Sequence, residues 1–133
     1  MARCVLAFII IAALIIGYDW VFHGYILADT YQATASLWRP EAEMKQYFGW
    51  LIAGELVLAL AFTLILSTTK EKLSLGRGLC FGFIMGLFLS GQVLIGYAVE
   101  PYPLQLSMAW ILGFLIEFGL AGILGALILK PRA

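Results

Sequence analysis

The chain has 133 residues, of which 63% are hydrophobic and 12% charged, with eight basic and eight acidic side chains. A soluble domain carries about 45–50% apolar residues and roughly a quarter charged, and a globule this small has too little interior to hide the excess. The composition therefore specifies one integral membrane domain. It excludes disordered chains, secreted disulfide scaffolds and ordinary cytosolic enzymes, and the flat charge balance offers nothing to a nucleic acid.

A helix crossing about 30 Å of hydrocarbon needs roughly 20 apolar residues. Four stretches meet that requirement: Val5–Leu27, Tyr47–Leu66, Leu79–Val99 and Leu106–Leu129. Runs such as Val5–Gly17 are continuously apolar, unlike the alternating strands of a membrane barrel. The expected fold class is all-α, an antiparallel four-helix transmembrane bundle spanning residues 1–133 as a single domain. Arg3 followed by an apolar run has the form of a signal peptide, yet Gly17-Tyr18-Asp19-Trp20 offers no small-x-small cleavage site. The first stretch is therefore expected to stay as a helix.

The first connection, Ala28–Gln46, contains Pro40 followed by Glu41 and Glu43, the pattern of a helix start. The second helix should thus begin outside the hydrocarbon and project about two turns above it. Tyr31, Trp38 and Tyr47 suit the membrane interface, where an aromatic ring has one wet and one apolar end. Six of the eight basic residues (Arg3, Lys70, Lys72, Arg77, Lys130 and Arg132) fall on one side, and only Arg39 and Lys45 on the other. The positive-inside rule then places both termini in the cytoplasm and the first and third connections outside. Cys4 and Cys80 have no metal-binding or redox spacing, and near a reducing face they read as free thiols. Glu100-Pro101-Tyr102-Pro103 is a rigid turn.

The third helix carries Gly78, Gly82, Gly86 and Ser90 at four-residue spacing; the fourth carries Ala109, Gly113, Ala121 and Gly125, with Glu117 among them. Small residues at this spacing let helices approach closely in lipid. The two faces suit either an antiparallel hairpin between helices three and four or contact with another subunit. In the hairpin, Glu117 is expected to point into the protein on the helix-three side, within reach of the Ser90 hydroxyl.

The spans also contain groups that lipid rejects: Asp19 and His23 in the first, Glu55 in the second, Gln92 in the third and Glu117 in the fourth. At about 1.5 Å per residue these lie roughly 6–16 Å below one boundary, so every span contributes to one polar layer. Asp19 and His23, four apart, share a helix face. Intramembrane ionisable groups are costly and mark functional sites by default. Carboxylate and imidazole together suit a metal ion, with Asp19, His23, Glu55 and Glu117 as candidate ligands, and they suit a proton relay equally well. The spacing nevertheless matches no Glu-x-x-His or His-Glu-x-x-His motif. His23 alone suits a haem axial position, although a bis-histidine haem needs a second chain. The structural alternative is that Asp19 and His23 pair near the headgroups while Glu55 and Glu117 bond to backbone or to Ser90.

The stretch Asp19-x-x-x-His23, then Tyr31-x-x-Thr34-x-x-Leu37-Trp38-Arg39-Pro40-Glu41, then Trp110 and Ile116-Glu117-Phe118 resembles a loose group of small bacterial four-helix inner-membrane proteins without an assigned activity. The resemblance implies a bacterial inner-membrane setting, and it ranks His23, Trp38, Arg39 and Glu117 first among residues to test. No nucleophile constellation, phosphate loop or cofactor fingerprint is present, so catalysis in the usual sense is not expected. The leading expectation is an accessory or scaffold subunit of a larger membrane complex, meeting lipid, other subunits or its own copies through the Gly/Ala faces. The alternatives are a metal, proton or small-ligand site in the polar layer, and a minimal transporter working as an oligomer.

Overall fold

The computed structural model describes residues 1–69 and 73–129. Helix α1 (Ala2–Val21) runs into a π-helical turn at Phe22–Ile26, and a short helix α2 (Ala28–Ala33) and a 3₁₀ turn (Ala35–Leu37) follow. Three long helices complete the chain: α3 (Glu41–Ser67), α4 (Leu75–Val99) and α5 (Leu104–Leu129). Four candidate spans result, Ala2–Ile26, Glu41–Ser67, Leu75–Val99 and Leu104–Leu129. The protein is a small all-α integral membrane protein whose spans pack as a bundle. Lys70, Lys72, Lys130 and Arg132, which carry much of the charge asymmetry, lie outside the described residues.

The helix ends follow local chemistry. Pro40 stands in extended conformation at the cap of α3, and Glu41 and Glu43 occupy its first turn, where the peptide dipoles favour acids. Ser74 caps α4 by accepting a hydrogen bond from the Arg77 backbone N–H at 3.2 Å. Glu100 ends α4 in extended conformation, as expected of a residue preceding proline. The first connection is more ordered than a plain loop, because α2 and the 3₁₀ turn fold back over the end of the bundle. That end, bearing the first and third connections, is called the loop face below; the opposite end is the terminal face.

Helices α4 and α5 form a close antiparallel hairpin. A Cβ at Gly78 would collide with the Gly122 carbonyl, one at Gly82 with the Phe118 carbonyl, and one at Gly86 with the Phe114 carbonyl. The glycine face of α4 thus meets α5 backbone to backbone, as small-residue packing in lipid requires. The surface of α5 that meets it is Phe114, Phe118, Gly119 and Gly122. The other small-residue row of α5 turns elsewhere: Gly113 accommodates the Phe22 ring, and Gly125 accommodates Leu66 and Ile11. Helix α5 is therefore two-sided, holding α4 with one glycine row and α1 and α3 with the other.

Toward the terminal face, Ile11 and Ile15 of α1, Ala59, Phe62 and Leu66 of α3, and Phe118, Ala121 and Ala126 of α5 share one apolar core. Toward the loop face a second, smaller core joins Leu27, Tyr102 and Leu106 to Phe22, Tyr31, Trp38 and Trp110. Helix α3 takes no part in this second core. Its residues Glu41–Leu51 are exposed on all sides, Trp50 to 77%.

Candidate functional site

The polar site forms where α1 changes winding. The π turn holds Phe22 and His23 just past Asp19, and π-helical turns recur at functional sites because they redirect side chains within a helix. His23 Nε2 lies 3.6 Å from Asp19 Oδ1, too long for a direct hydrogen bond. On its other side, His23 Nδ1 is 2.6 Å from the Tyr31 hydroxyl. The Trp110 indole N–H donates to that same hydroxyl at 2.8 Å, across 79 residues of sequence.

These contacts have a direction. An indole N–H only donates, so Tyr31 Oη accepts from Trp110 and its single proton is available for His23 Nδ1. When Tyr31 donates that proton to Nδ1, neutral His23 carries its own proton on Nε2, facing Asp19. Tyr31 thus joins Trp110 to His23 by hydrogen bonds, and His23 in turn faces Asp19 across a gap of 3.6 Å. Both ring nitrogens of His23 face partners, one the Tyr31 hydroxyl and the other the Asp19 carboxyl.

Tyr31 is brought in by α2, and Trp38 closes over it. Thr34 Oγ1 donates to the Thr30 carbonyl at 2.8 Å and accepts from the Trp38 indole N–H at 2.9 Å. The Trp38 ring stands edge-on to Tyr31, with centroids 5.6 Å apart, and lies near Trp110 and Tyr102. Burial pushes the Tyr31 phenol up to about 12 from an ordinary 10; the Trp110 hydrogen bond opposes that rise and the Asp19 charge adds to it. The phenol therefore stays a donor at any physiological pH.

Below the pair lies a cavity of about 10 Å³, lined by Tyr18, Asp19, Phe22, His23, Trp110 and Glu117 among others. That is close to the space of one water molecule. Glu117 is 1% exposed and Glu55 7%. Glu117 Oε1 and Glu55 Oε2 have no hydrogen-bond partner among the described residues. The carboxyl groups of Asp19, Glu55 and Glu117, on α1, α3 and α5, lie within electrostatic range of one another. Among the described residues no three His, Cys, Asp or Glu side chains are disposed to hold a metal ion.

Three details differ from the expected polar layer. Gln92 is exposed on the outside of α4, because the inward face of that helix is its glycine row. Ser90 is buried, but its hydroxyl donates to the Gly86 carbonyl of its own helix at 2.8 Å. Glu117 does point into the protein, yet toward α1, since it shares its face with Gly113 and not with Gly119 and Gly122. Arg39 lies 4.0 Å over the Tyr47 ring, a cation–π contact that ties it to α3. Tyr31 and Trp110 are central to the site, and only their hydrogen-bonding chemistry hinted at it: an aromatic donor and acceptor far apart in sequence have no spacing to read.

No protein-family model, curated protein or solved structure matches the chain.

Proposed function

We propose that this protein is a small membrane subunit whose working part is a proton-exchanging site opening toward the loop face. The observation that carries the reading is Glu117, a carboxyl sealed inside the bundle with a free oxygen, beside a one-water cavity that also touches Asp19 and His23. The Tyr31–His23 hydrogen bond leads toward that cavity, and a water in the 3.6 Å gap between His23 and Asp19 would complete the route to the carboxyl groups. The terminal half is plugged by Ile11, Ile15, Phe62 and Phe118, so the site exchanges with one side only. In the orientation set by the basic residues, that side is the periplasm of a bacterial inner membrane.

The test is infrared difference spectroscopy of the protein in lipid as bulk pH is stepped. A carboxyl band that responds to pH, is lost in Glu117→Gln and responds more slowly in His23→Gln supports the reading. A spectrum identical in wild type and Glu117→Gln overturns it, as does stoichiometric metal that is lost from His23→Ala.

A second reading concerns assembly. The loop-side half of α3 has small residues Gly49, Ala53 and Gly54 exposed with Trp50, and a Cβ at Gly49 or Gly54 would meet nothing within 4 Å among the described residues, which suits an accessory role beside other membrane helices. Native purification separates the outcomes: a stoichiometric partner lost on Gly54→Leu supports it, and an isolated monomer in mild detergent removes it.

A further inference from the structure

We propose that the groove between the loop-side halves of α4 and α5 binds one phospholipid with a primary-ammonium headgroup, a phosphatidylethanolamine. The groove exists because the hairpin changes its packing. Backbone contact along the glycine row gives way near the loop face to an inserted ring, Tyr102, which lies against Gly96 and donates to the Val93 carbonyl at 3.3 Å. This wedge opens a cleft of about 510 Å³, within the range of about 300–1,000 Å³ usual for ligand sites.

Its polarity matches an amphiphile stood upright in a leaflet. Leu89, Val93 and Phe114 make the deep part apolar, the exposed amide of Gln92 lies alongside, and the Glu100 carboxylate stands at the mouth. An acyl chain fits the first, the Gln92 amide can donate to an ester carbonyl, and the carboxylate calls for a cation.

Charge selects the headgroup. From Gly78 to Leu129 the chain has no Lys or Arg, and Arg39, on the same face, is drawn over Tyr47. The groove lining holds no Lys or Arg to meet an anionic headgroup, while an ammonium finds Glu100. A trimethylammonium needs open aromatic faces; the Tyr102 and Trp110 rings instead meet edge to face at 5.0 Å, and Trp38 stacks on Tyr102. A primary ammonium, with three N–H donors, suits the carboxylate directly. Trp110 and Phe114 line both this groove and the Glu117 cavity, so the lipid would sit against the back wall of the polar site.

The test uses the full chain reconstituted with equal amounts of phosphatidylethanolamine, phosphatidylcholine and phosphatidylglycerol, then extracted gently for native mass spectrometry. One ethanolamine lipid should remain in preference to the other two. Glu100→Gln, an exposed change that leaves the fold alone, should cut that preference by about tenfold, the value of one charge-assisted hydrogen bond. Gln92→Leu should lower retention of all three lipids alike, since all carry ester carbonyls, and leave the ethanolamine preference in place. Equal retention of all three lipids, no retained lipid, or a preference unchanged in Glu100→Gln overturns the proposal. Because Glu100 lies outside the polar cavity, none of these results bears on the infrared test of Glu117.

Discussion

At the scale of single residues, Tyr31 is the hub of the loop-face half. It receives one hydrogen bond, offers another and supports the Trp38 lid. Tyr31→Phe removes the group that selects the His23 tautomer. Nitrogen-15 NMR of wild type should show His23 with its proton on Nε2; in Tyr31→Phe both tautomers should be seen. Trp110→Phe keeps the Tyr31–His23 bond and should cost only about 1 kcal/mol, a typical net hydrogen bond. The raised phenol has a consequence for stability. Because the folded form holds its proton up to about pH 12 and a free tyrosine only to 10, the folded state binds more protons between those values. Stability is then complete below pH 10 and falls as pH rises toward 12. Thermal unfolding followed across that window should show the fall in wild type and a smaller one in Tyr31→Phe.

At the scale of helices, α5 carries two glycine rows and so organises the bundle, while α4 relies on one. Substitutions along α4 should separate by face. Gly82→Ala places a methyl against the Phe118 carbonyl and should lower stability by about 1–3 kcal/mol, the usual cost of overpacking. Gly91→Ala meets nothing within 4 Å and should be neutral or raise stability by up to about 1 kcal/mol through helix propensity. Thermal unfolding of the two variants in the same detergent checks the contrast; equal losses would contradict the hairpin geometry. Helix α1 differs from both, since its π turn trades regular hydrogen bonding for the placement of Phe22 and His23.

At the scale of the molecule, the bundle is closed at the terminal half and differentiated at the loop half. Its orientation in the bilayer can be tested with cysteine labels in a background lacking Cys4 and Cys80. Glu43→Cys should react in intact cells and Lys72→Cys only after lysis; the reverse pattern would invert the assignment and turn the polar site toward the cytoplasm. The same reagents, directed to Glu41→Cys, should report the projecting start of α3, whose residues are exposed on every side.

Span number, span length and the start of α3 at Pro40-Glu41 depend on composition and local capping, and these were legible in the chain. The four-residue rows of α4 and α5 were legible too, because a helix face repeats locally. Which row faced which helix was not: Glu117 belongs to the row that meets α1, and only the competition among three neighbours for two faces of α5 decides that. The polar layer was visible as a set of depths, yet depth does not specify angle around a helix, so Gln92 counted with it although it faces outward. The Trp110–Tyr31–His23 contacts join segments 79 and eight residues apart through side chains of α5, α2 and the π turn. Such contacts arise when an irregular segment folds back onto a finished bundle, and no periodicity in the sequence encodes where it lands.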